Sequence, residues 1–398
     1  AGLTFIGPSP ESIRKLGDKI QARQLAQDLD IPLAPGGPEV TSIDNAFQWA
    51  EKIGYPVMVK AAAGGGGRGI RLVERPDDFH GAAQQAMYEA QAAFGNPAIY
   101  VEKYFSPVRH IEIQVIADKY GNVVPIGERE CSIQRRHQKL IEESPSVAVT
   151  PYLRRQLGRA AVRIARAANY HNVGTVEFLL TEDGNYYFLE MNTRLQVEHG
   201  VTELVTGLDL VAWQIRVAAG ERLPADVVEA TRHGHAIEVR LYAEDPYDGF
   251  RPTSGRIGAW RMPEGPGVRV DAGLEEDTDL RPEYDPLLAK LMVHAADRTA
   301  AIDRLRRALD ETIIGGLQTD AGFLRWLVDD DAFASGAYDT SLIAERWRGG
   351  PALGGAERAL VALAATEARL ATSTTIPTAA PTRSGSPWGD LARREGLR

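Results

Sequence analysis

An α+β fold, with a small α/β unit set before a larger antiparallel sheet, is the class this sequence predicts. Three observations carry it. Residues 31–105 mix helical spacing with short apolar strands around a run of glycines. Residues 110–117 alternate strictly, with Ile111, Ile113 and Val115 on one face and His110, Glu112 and Gln114 on the other, and residues 118–122 turn the strand back. A second hairpin, 174–180 with 186–192, closes around Asp183-Gly184.

In chain order, Phe5-Ile6-Gly7-Pro8-Ser9 reads as a strand end turning into a loop. One helix is expected over 9–29, with Lys19 in the run Gly17-Asp18-Lys19, so that 1–30 is a connector and a helix. The unit 31–105 should hold a helix at 42–53, strands at 57–60 and 70–73 flanking the glycines, a helix at 77–94 and a strand at 98–101. The third region, 106–234, carries the two hairpins with helices at 151–168 and 202–219. A strand at 236–241 opens 235–347, a region of short strands and turns ending in helices at 298–312 and 321–328. Residues 348–398 change texture, with an alanine-rich helical stretch, a linker at 372–387 rich in Thr, Pro and Ser, and a short end.

The 398 residues, 44% hydrophobic and 25% charged, match a globular chain of two or three domains. With 45 basic against 54 acidic side chains the net charge is −9, a field that repels nucleic acid and anionic membrane. The single cysteine, Cys131, excludes a disulfide framework and a cysteine zinc site, and fits a reducing, cytoplasmic setting. No run reaches the roughly 18 apolar residues that a membrane span requires. The start at Ala1, beside strand-like Leu3-Thr4-Phe5-Ile6, is expected to follow an upstream segment.

Five stretches carry candidate chemistry. In Lys60-Ala61-Ala62-Ala63-Gly64-Gly65-Gly66-Gly67-Arg68-Gly69 the glycines formally satisfy G-x-G-x-x-G, but a strand and not a helix follows, which excludes the dinucleotide fingerprint and a Walker loop alike. A hairpin of this kind, with Gly65, Gly66 and Gly67 at its tip, can bring backbone N–H groups against phosphate while Lys60 supplies a charge; an ordinary glycine hairpin is the plainer alternative. Across the Asp183-Gly184 turn, Leu179 should face Phe188 and Glu177 should face Glu190, with Asn192 two residues further on the same face. Like charges so placed call for a cation, and an all-oxygen set favours Mg²⁺ or Mn²⁺, unless solvent or arginine neutralises the pair.

The segment 129–139 counts Arg129, Arg135, Arg136 and Lys139 against Glu130, a local +3 able to seat an anion, although such runs are commonly solvated surface. In Asn192-Thr193-Arg194-Leu195-Gln196-Val197-Glu198-His199, Arg194 can clamp an anion and Glu198 can take its proton, or the two can simply pair. Glu238 and Arg240 share a strand face and read as an ion pair, and Cys131 reads as packing.

From about Phe5 to Trp347 these residues resemble biotin carboxylase, the ATP-grasp component of biotin-dependent acyl-CoA carboxylases. Further matches are Val101-Glu102-Lys103-Tyr104, Arg109-His110-Ile111-Glu112-Ile113-Gln114, Glu130-Cys131-Ser132-Ile133-Gln134-Arg135-Arg136-His137-Gln138-Lys139, Ala243-Glu244-Asp245-Pro246 and Tyr284-Asp285-Pro286. The resemblance implies an ATP-grasp fold in which 31–105 is a lid, 106–234 the core and 235–347 the biotin carboxylase C-terminal domain. It implies that Lys19, Lys60 and the glycine loop hold the ATP phosphates. Glu102 and the Lys103 backbone would read adenine, and His110, Gln134 and His137 would line the ribose and phosphates. Glu177, Glu190 and Asn192 match the metal positions, with two ions, Mg²⁺ or Mn²⁺, expected. Lys139, Arg194, Val197 and Glu198 match the bicarbonate and biotin pocket, with Glu198 as base, and Arg240 matches the arginine on the biotin ureido oxygen.

The implied reaction is the ATP-dependent carboxylation of biotin by bicarbonate through carboxyphosphate. The implied partners are a biotin carboxyl carrier protein and a carboxyltransferase subunit, since no Met-Lys-Met attachment motif follows the match. A homodimer is usual for the family, but an N-terminal subdomain contributes to it, and this sequence is expected to begin after that subdomain. Two other functions compete: a bicarbonate-using ligase of carbamoyl-phosphate synthetase type, which usually needs a doubled synthetase, and an inert nucleotide-binding assembly module.

Overall fold

The computed structural model describes residues 2–62 and 69–349. The predicted glycine loop with Gly65, Gly66 and Gly67, and the features expected from 350 onward, lie outside the described residues. Ala1–Trp347 form one compact unit.

Two sheets organise this unit. The smaller contains β1 (Val57–Ala61), β2 (Ile70–Val73) and β3 (Ile99–Lys103) in the order β2-β1-β3, all antiparallel. Helices Ile43–Ile53 and Phe79–Phe94 cover it, burying Ala46, Ala50, Phe79 and Ala83 against Val57, Val59 and Val101. The larger sheet contains β4 (Val108–Ala117), β5 (Val123–Arg135), β6 (Gln138–Ser144), β7 (Asn172–Thr181), β8 (Tyr186–Asn192), β9 (His235–Tyr242), β10 (Val268–Ala272) and β11 (Leu287–Ala295). Its order is β10-β11-β9-β6-β5-β4-β7-β8, antiparallel throughout. Because β9 pairs with β6, backbone hydrogen bonds run unbroken across the boundary expected at 234/235.

The strict alternation of β4 explains its place. Ile111, Ile113 and Val115 enter a core with Leu157, Ala161, Ile164 and Phe178, under the helix Pro151–Ala167. That helix starts where Thr150 Oγ1 accepts the Leu153 amide and Pro151 opens the first turn. The opposite face of β4 is polar but equally dry: Glu112 is 0% and Gln114 1% exposed. It needs partners within the protein, and the site supplies them.

Several expected elements change. The helix expected at 9–29 is two, Pro10–Gly17 and Lys19–Asp28, because Asp18 turns extended and its carboxylate accepts the Ile20 and Gln21 amides as a new N-cap. The helix expected at 202–219 is likewise His199–Thr206 and Leu210–Ala218, divided where Gly207 takes φ +72° and Asp209 caps the second. Leu3-Thr4-Phe5-Ile6 is not a strand; Leu3 is 89% and Phe5 67% exposed. The 129–139 segment is no surface loop: Arg129 is 0% exposed within β5, and Arg136 and His137 form a two-residue turn at φ +50° and +67° before β6.

Candidate active site

The polar face of the large sheet is assembled by register. Arg129, Glu112, Glu177 and Glu190 are successive cross-strand partners on β5, β4, β7 and β8, and Thr175 pairs with Asn192. The expected Glu177–Glu190 pair therefore forms, by a different route. The turn after Thr181 has three residues, with Gly184 at φ +82° and its amide bonded to the Thr181 carbonyl. Leu179 thus faces Tyr187 instead of Phe188, and a bulge between Glu177 and Phe178 restores the register at the two glutamates.

The helix His199–Thr206 delivers Glu198 to this face. A Cβ on Gly200 would run into Met292 Sδ, so glycine permits the close approach. Glu198 precedes the first helical residue but spends no side-chain bond on capping. Its carboxylate bridges two cations instead: Lys139 Nζ lies 2.5 Å from Oε1 and Arg240 Nη2 2.9 Å from Oε2. Lys139 also reaches Glu112 at 2.7 Å and Glu177 at 3.2 Å. Arg240 Nε donates to Glu142 at 2.7 Å, so the expected pairing of Arg240 with Glu238 on its own strand does not form. Opposite Arg240 on β11, Lys290 donates to the Val197 carbonyl at 2.6 Å.

Electrostatics follow from three carboxylates, Glu112, Glu177 and Glu198, meeting Lys139, Arg129 and Arg240 out of water. Burial alone would raise the carboxyl pKa values, yet Arg129 and Lys139 hold Glu112 down to about 2. Burial and the neighbouring Glu112 push Glu198 up, but Lys139 and Arg240 outweigh them and leave it below the usual carboxylate range. For Glu177, burial is overcome first by His110 and then by Lys139. His110 Nε2 lies 3.2 Å from Glu177 and 3.9 Å from Glu112; burial works against its charge, but Glu177 raises its pKa. Lys139 is held well up, its burial outweighed by Glu112, Glu177 and Glu198. Glu238 is the contrary case: both carboxylate oxygens lack a hydrogen bond, and burial, reinforced by Glu142 across the strand, pushes its pKa well up.

At the smaller sheet, Lys60 of β1 ion-pairs with Glu102 of β3, which Arg23 also reaches at 3.1 Å. Lys19 opens the helix Lys19–Asp28; burial and the nearby Lys60 lower its pKa, while Glu190 and Glu102 raise it. Burial and the charge of Lys60 depress the His137 pKa. Gln134 turns its amide onto the Cys131 carbonyl at 2.7 Å. The Lys103 amide donates to the Pro35 carbonyl at 2.7 Å and its ammonium to the Gly54 and Tyr55 carbonyls, so a backbone contact from Lys103 to a base falls to its carbonyl. Arg194 is not brought to the cluster: it is exposed and donates only to the Leu195 carbonyl at 3.3 Å, and the Arg194–Glu198 pair is replaced by the pairs with Lys139 and Arg240.

The donor set suits a divalent ion. Glu177 Oε1 accepts from Asn192 Nδ2 and Gln196 Nε2, both at 2.9 Å, so the expected metal positions Glu177 and Asn192 touch, and Glu190 is the register partner of Glu177. These are hard oxygen ligands, which favour Mg²⁺ or Mn²⁺ once the Asn192 amide presents its oxygen. A tighter group forms beside them, His110, Glu112 and Glu177, whose ligand atoms lie within 4.8 Å of one another.

The sequence reading passed over Arg129, Gln196, Glu142 and Lys290 as individual site groups. Strand alternation would have placed Glu142 and Lys290 on the Glu238/Arg240 face had β6 and β11 been recognised as its neighbours. Cys131 does more than fill space, since its Sγ lies 3.1 Å from Glu112 Oε1.

Residues 18–226 match the family model "Carbamoyl-phosphate synthase L chain, ATP binding domain", and residues 238–345 match "Biotin carboxylase C-terminal domain". Biotin carboxylase of Nostoc sp. is 50% identical over 344 residues, 86% of this chain and 77% of that protein. The chain belongs to the biotin carboxylase family. Chloroplastic biotin carboxylase 2 of Populus trichocarpa is 52% identical over 343 residues, and this chain covers 65% of its length. Among solved structures, a biotin carboxylase complex from Campylobacter jejuni superposes with a TM-score of 0.84 at 43% identity, covering 86% of this chain and 77% of that one. The biotin carboxylase domain of Hydrogenobacter thermophilus 2-oxoglutarate carboxylase, solved with MgADP, ADP and bicarbonate, also gives 0.84 at 43% identity, covering 86% and 76%. The fold is accordingly the ATP-grasp biotin carboxylase fold, built on the antiparallel sheet described above. No helix among the described residues is long and apolar enough to cross a membrane.

Proposed function

We propose that this chain carries out ATP- and bicarbonate-dependent carboxylation of biotin, the first half-reaction of a biotin-dependent carboxylase. One observation carries the reading: Glu198 is an ionised carboxylate suspended between Lys139 and Arg240, beside a row of oxygen ligands. A base whose counter-ions can exchange onto an incoming anion is what bicarbonate chemistry requires. Lys139 and Arg240 attract bicarbonate. As they turn to it, Glu198 loses the cations that depress its basicity and takes the bicarbonate proton.

A bicarbonate oxygen then attacks the γ-phosphorus of ATP, the bond to the β-phosphate oxygen breaks, and ADP leaves carboxyphosphate behind. Glu177, Glu190 and Asn192 would hold divalent ions, two in this proposal and Mg²⁺ or Mn²⁺ by their oxygen donors, which would neutralise charge at the phosphates. Lys19 and Lys60 hold the phosphate oxygens, with His110, Gln134, His137 and the 65–67 glycines around the nucleotide and Glu102 and Lys103 toward the base. Carboxyphosphate divides into CO2 and phosphate; the phosphate removes the ureido N–H proton of biotin, and the nitrogen bonds to CO2. Arg240 stabilises the negative charge gained by the ureido oxygen and Val197 borders this pocket, while the exposed Arg194 would have to swing inward to join it on an anion. The same proposal takes 31–105 as the lid, 106–234 as the core and 235–347 as the C-terminal domain. It makes biotin on a carrier protein the substrate and a carboxyltransferase subunit the partner.

The test is phosphate release from ATP with bicarbonate and free biotin each present or omitted. Release that requires bicarbonate and rises with biotin supports the proposal. Release driven by ammonia and indifferent to biotin assigns the chain to carbamate chemistry, and nucleotide binding without release assigns it to assembly.

A further inference from the structure

Among the described residues Arg129 is the largest fully buried side chain, with 0% exposure, and none of its N–H groups is idle. Nε donates to Glu112 Oε1 at 2.6 Å. Nη1 donates to Gln114 Oε1 at 2.6 Å and Thr202 Oγ1 at 2.9 Å. Nη2 donates to Thr175 Oγ1 at 3.1 Å and Gln196 Oε1 at 3.0 Å. Five donors in a rigid fork thus meet five acceptors from β4, β7, the helix His199–Thr206 and the loop before it.

Two of those acceptors pass the constraint on. A guanidinium only donates, so Gln196 must turn its oxygen to Arg129, and its nitrogen is thereby committed to Glu177 Oε1 at 2.9 Å. Likewise, with Glu112 Oε1 taken by Arg129, Oε2 faces Lys139 at 2.7 Å. Burial makes any unpaired donor here costly, which removes the alternative orientations.

We propose that Arg129 is a positioning residue that fixes, through Gln196, the Glu177 carboxylate for its metal ion and, through Glu112, the Lys139 ammonium for the anion. This rests on the proposed function for the identity of the ligands, not for the geometry. Lysine, with three donors around a point, cannot reproduce the fork.

The experiment measures Mn²⁺ binding by the loss of free-ion EPR signal at saturating ADP, the affinity for ADP without metal, and the melting temperature, for the parent, Arg129→Lys, Gln196→Met and the double variant. Weakening of Mn²⁺ binding by roughly 10-fold or more in each single variant is expected, in line with losses of outer-shell ligands. Metal-free ADP affinity should stay within about twofold, and the double variant should be no weaker than the weaker single. Unchanged Mn²⁺ affinity in either single variant, losses that multiply in the double, or a parent that binds no Mn²⁺ overturns the proposal. If Arg129→Lys fails to fold, Gln196→Met, which removes no charge, still decides the relay. Biotin-dependent phosphate release by the parent is recorded alongside; its absence would sink the proposed function while the metal-binding comparison still decides Arg129.

Discussion

Lys139 Nζ and Glu198 Oε1 lie 2.5 Å apart, and the same ammonium is shared with Glu112 and Glu177. Burial and Glu112 push the Glu198 carboxyl up, and Lys139 and Arg240 bring it below its usual range. Glu198 is therefore ionised at neutral pH. Glu198→Gln should lower bicarbonate-dependent phosphate release by about 10²–10⁴-fold. Lys139→Met should return the carboxyl upward and move the acid limb of the pH–rate profile to higher pH. A limb that stays in place refutes the coupling.

Arg240 touches Glu198 and Glu142 from β9 of the larger sheet, whereas Lys60 belongs to β1 of the smaller one. Arg240→Ala should reduce biotin carboxylation by about 10²–10³-fold, the scale of a lost donor to a developing oxyanion. Bicarbonate-dependent ATP cleavage should fall far less. Lys139 still attracts bicarbonate in this variant, so equal losses in the two assays would refute a separate role for Arg240 at the ureido oxygen.

Lys60 pairs with Glu102 at the smaller sheet. Lys60→Met removes a charge-assisted contact, of the order of 1.5–3 kcal/mol, so ATP affinity by titration calorimetry should weaken by roughly 10–100-fold. KM for bicarbonate should not change.

Glu143 is a test of the fold alone. Its carboxylate accepts from Arg298 Nε at 2.7 Å, His235 Nε2 at 2.5 Å and the Tyr338 hydroxyl. Against its burial, His235 and Arg298 hold its pKa at about 2, down from 4.5. The folded-state pKa is depressed, so this stability is present above about pH 4.5 and is lost as pH falls toward 2. Arg298→Met should cost about 3–5 kcal/mol, read by urea unfolding at pH 7, and the deficit should narrow in acid. A pH-independent deficit would show that the loss is packing.

Strand β4, the hairpin β7–β8 and most helix positions were legible because periodicity and turn chemistry are local. The Glu177–Glu190 pairing was legible as well, although the three-residue turn and the bulge were not: the two irregularities cancel, and neither has a marker stronger than Gly184. Arg129 was misplaced because a charge run does not reveal that its first member points inward. That depends on acceptors at 112, 114, 175, 196 and 202, which only the folded chain gathers. Two long helices were overdrawn because Asp18 and Asp209, acceptable within a helical pattern, act as caps.

The ladder between β6 and β9 has a mechanical consequence. Lys139 and Glu142 lie on one side of that seam and Arg240 on the other, stitched by main-chain bonds. These groups therefore cannot part like jaws without tearing a sheet. Cutting the chain before β9 would expose a raw strand edge on β6 that invites self-association.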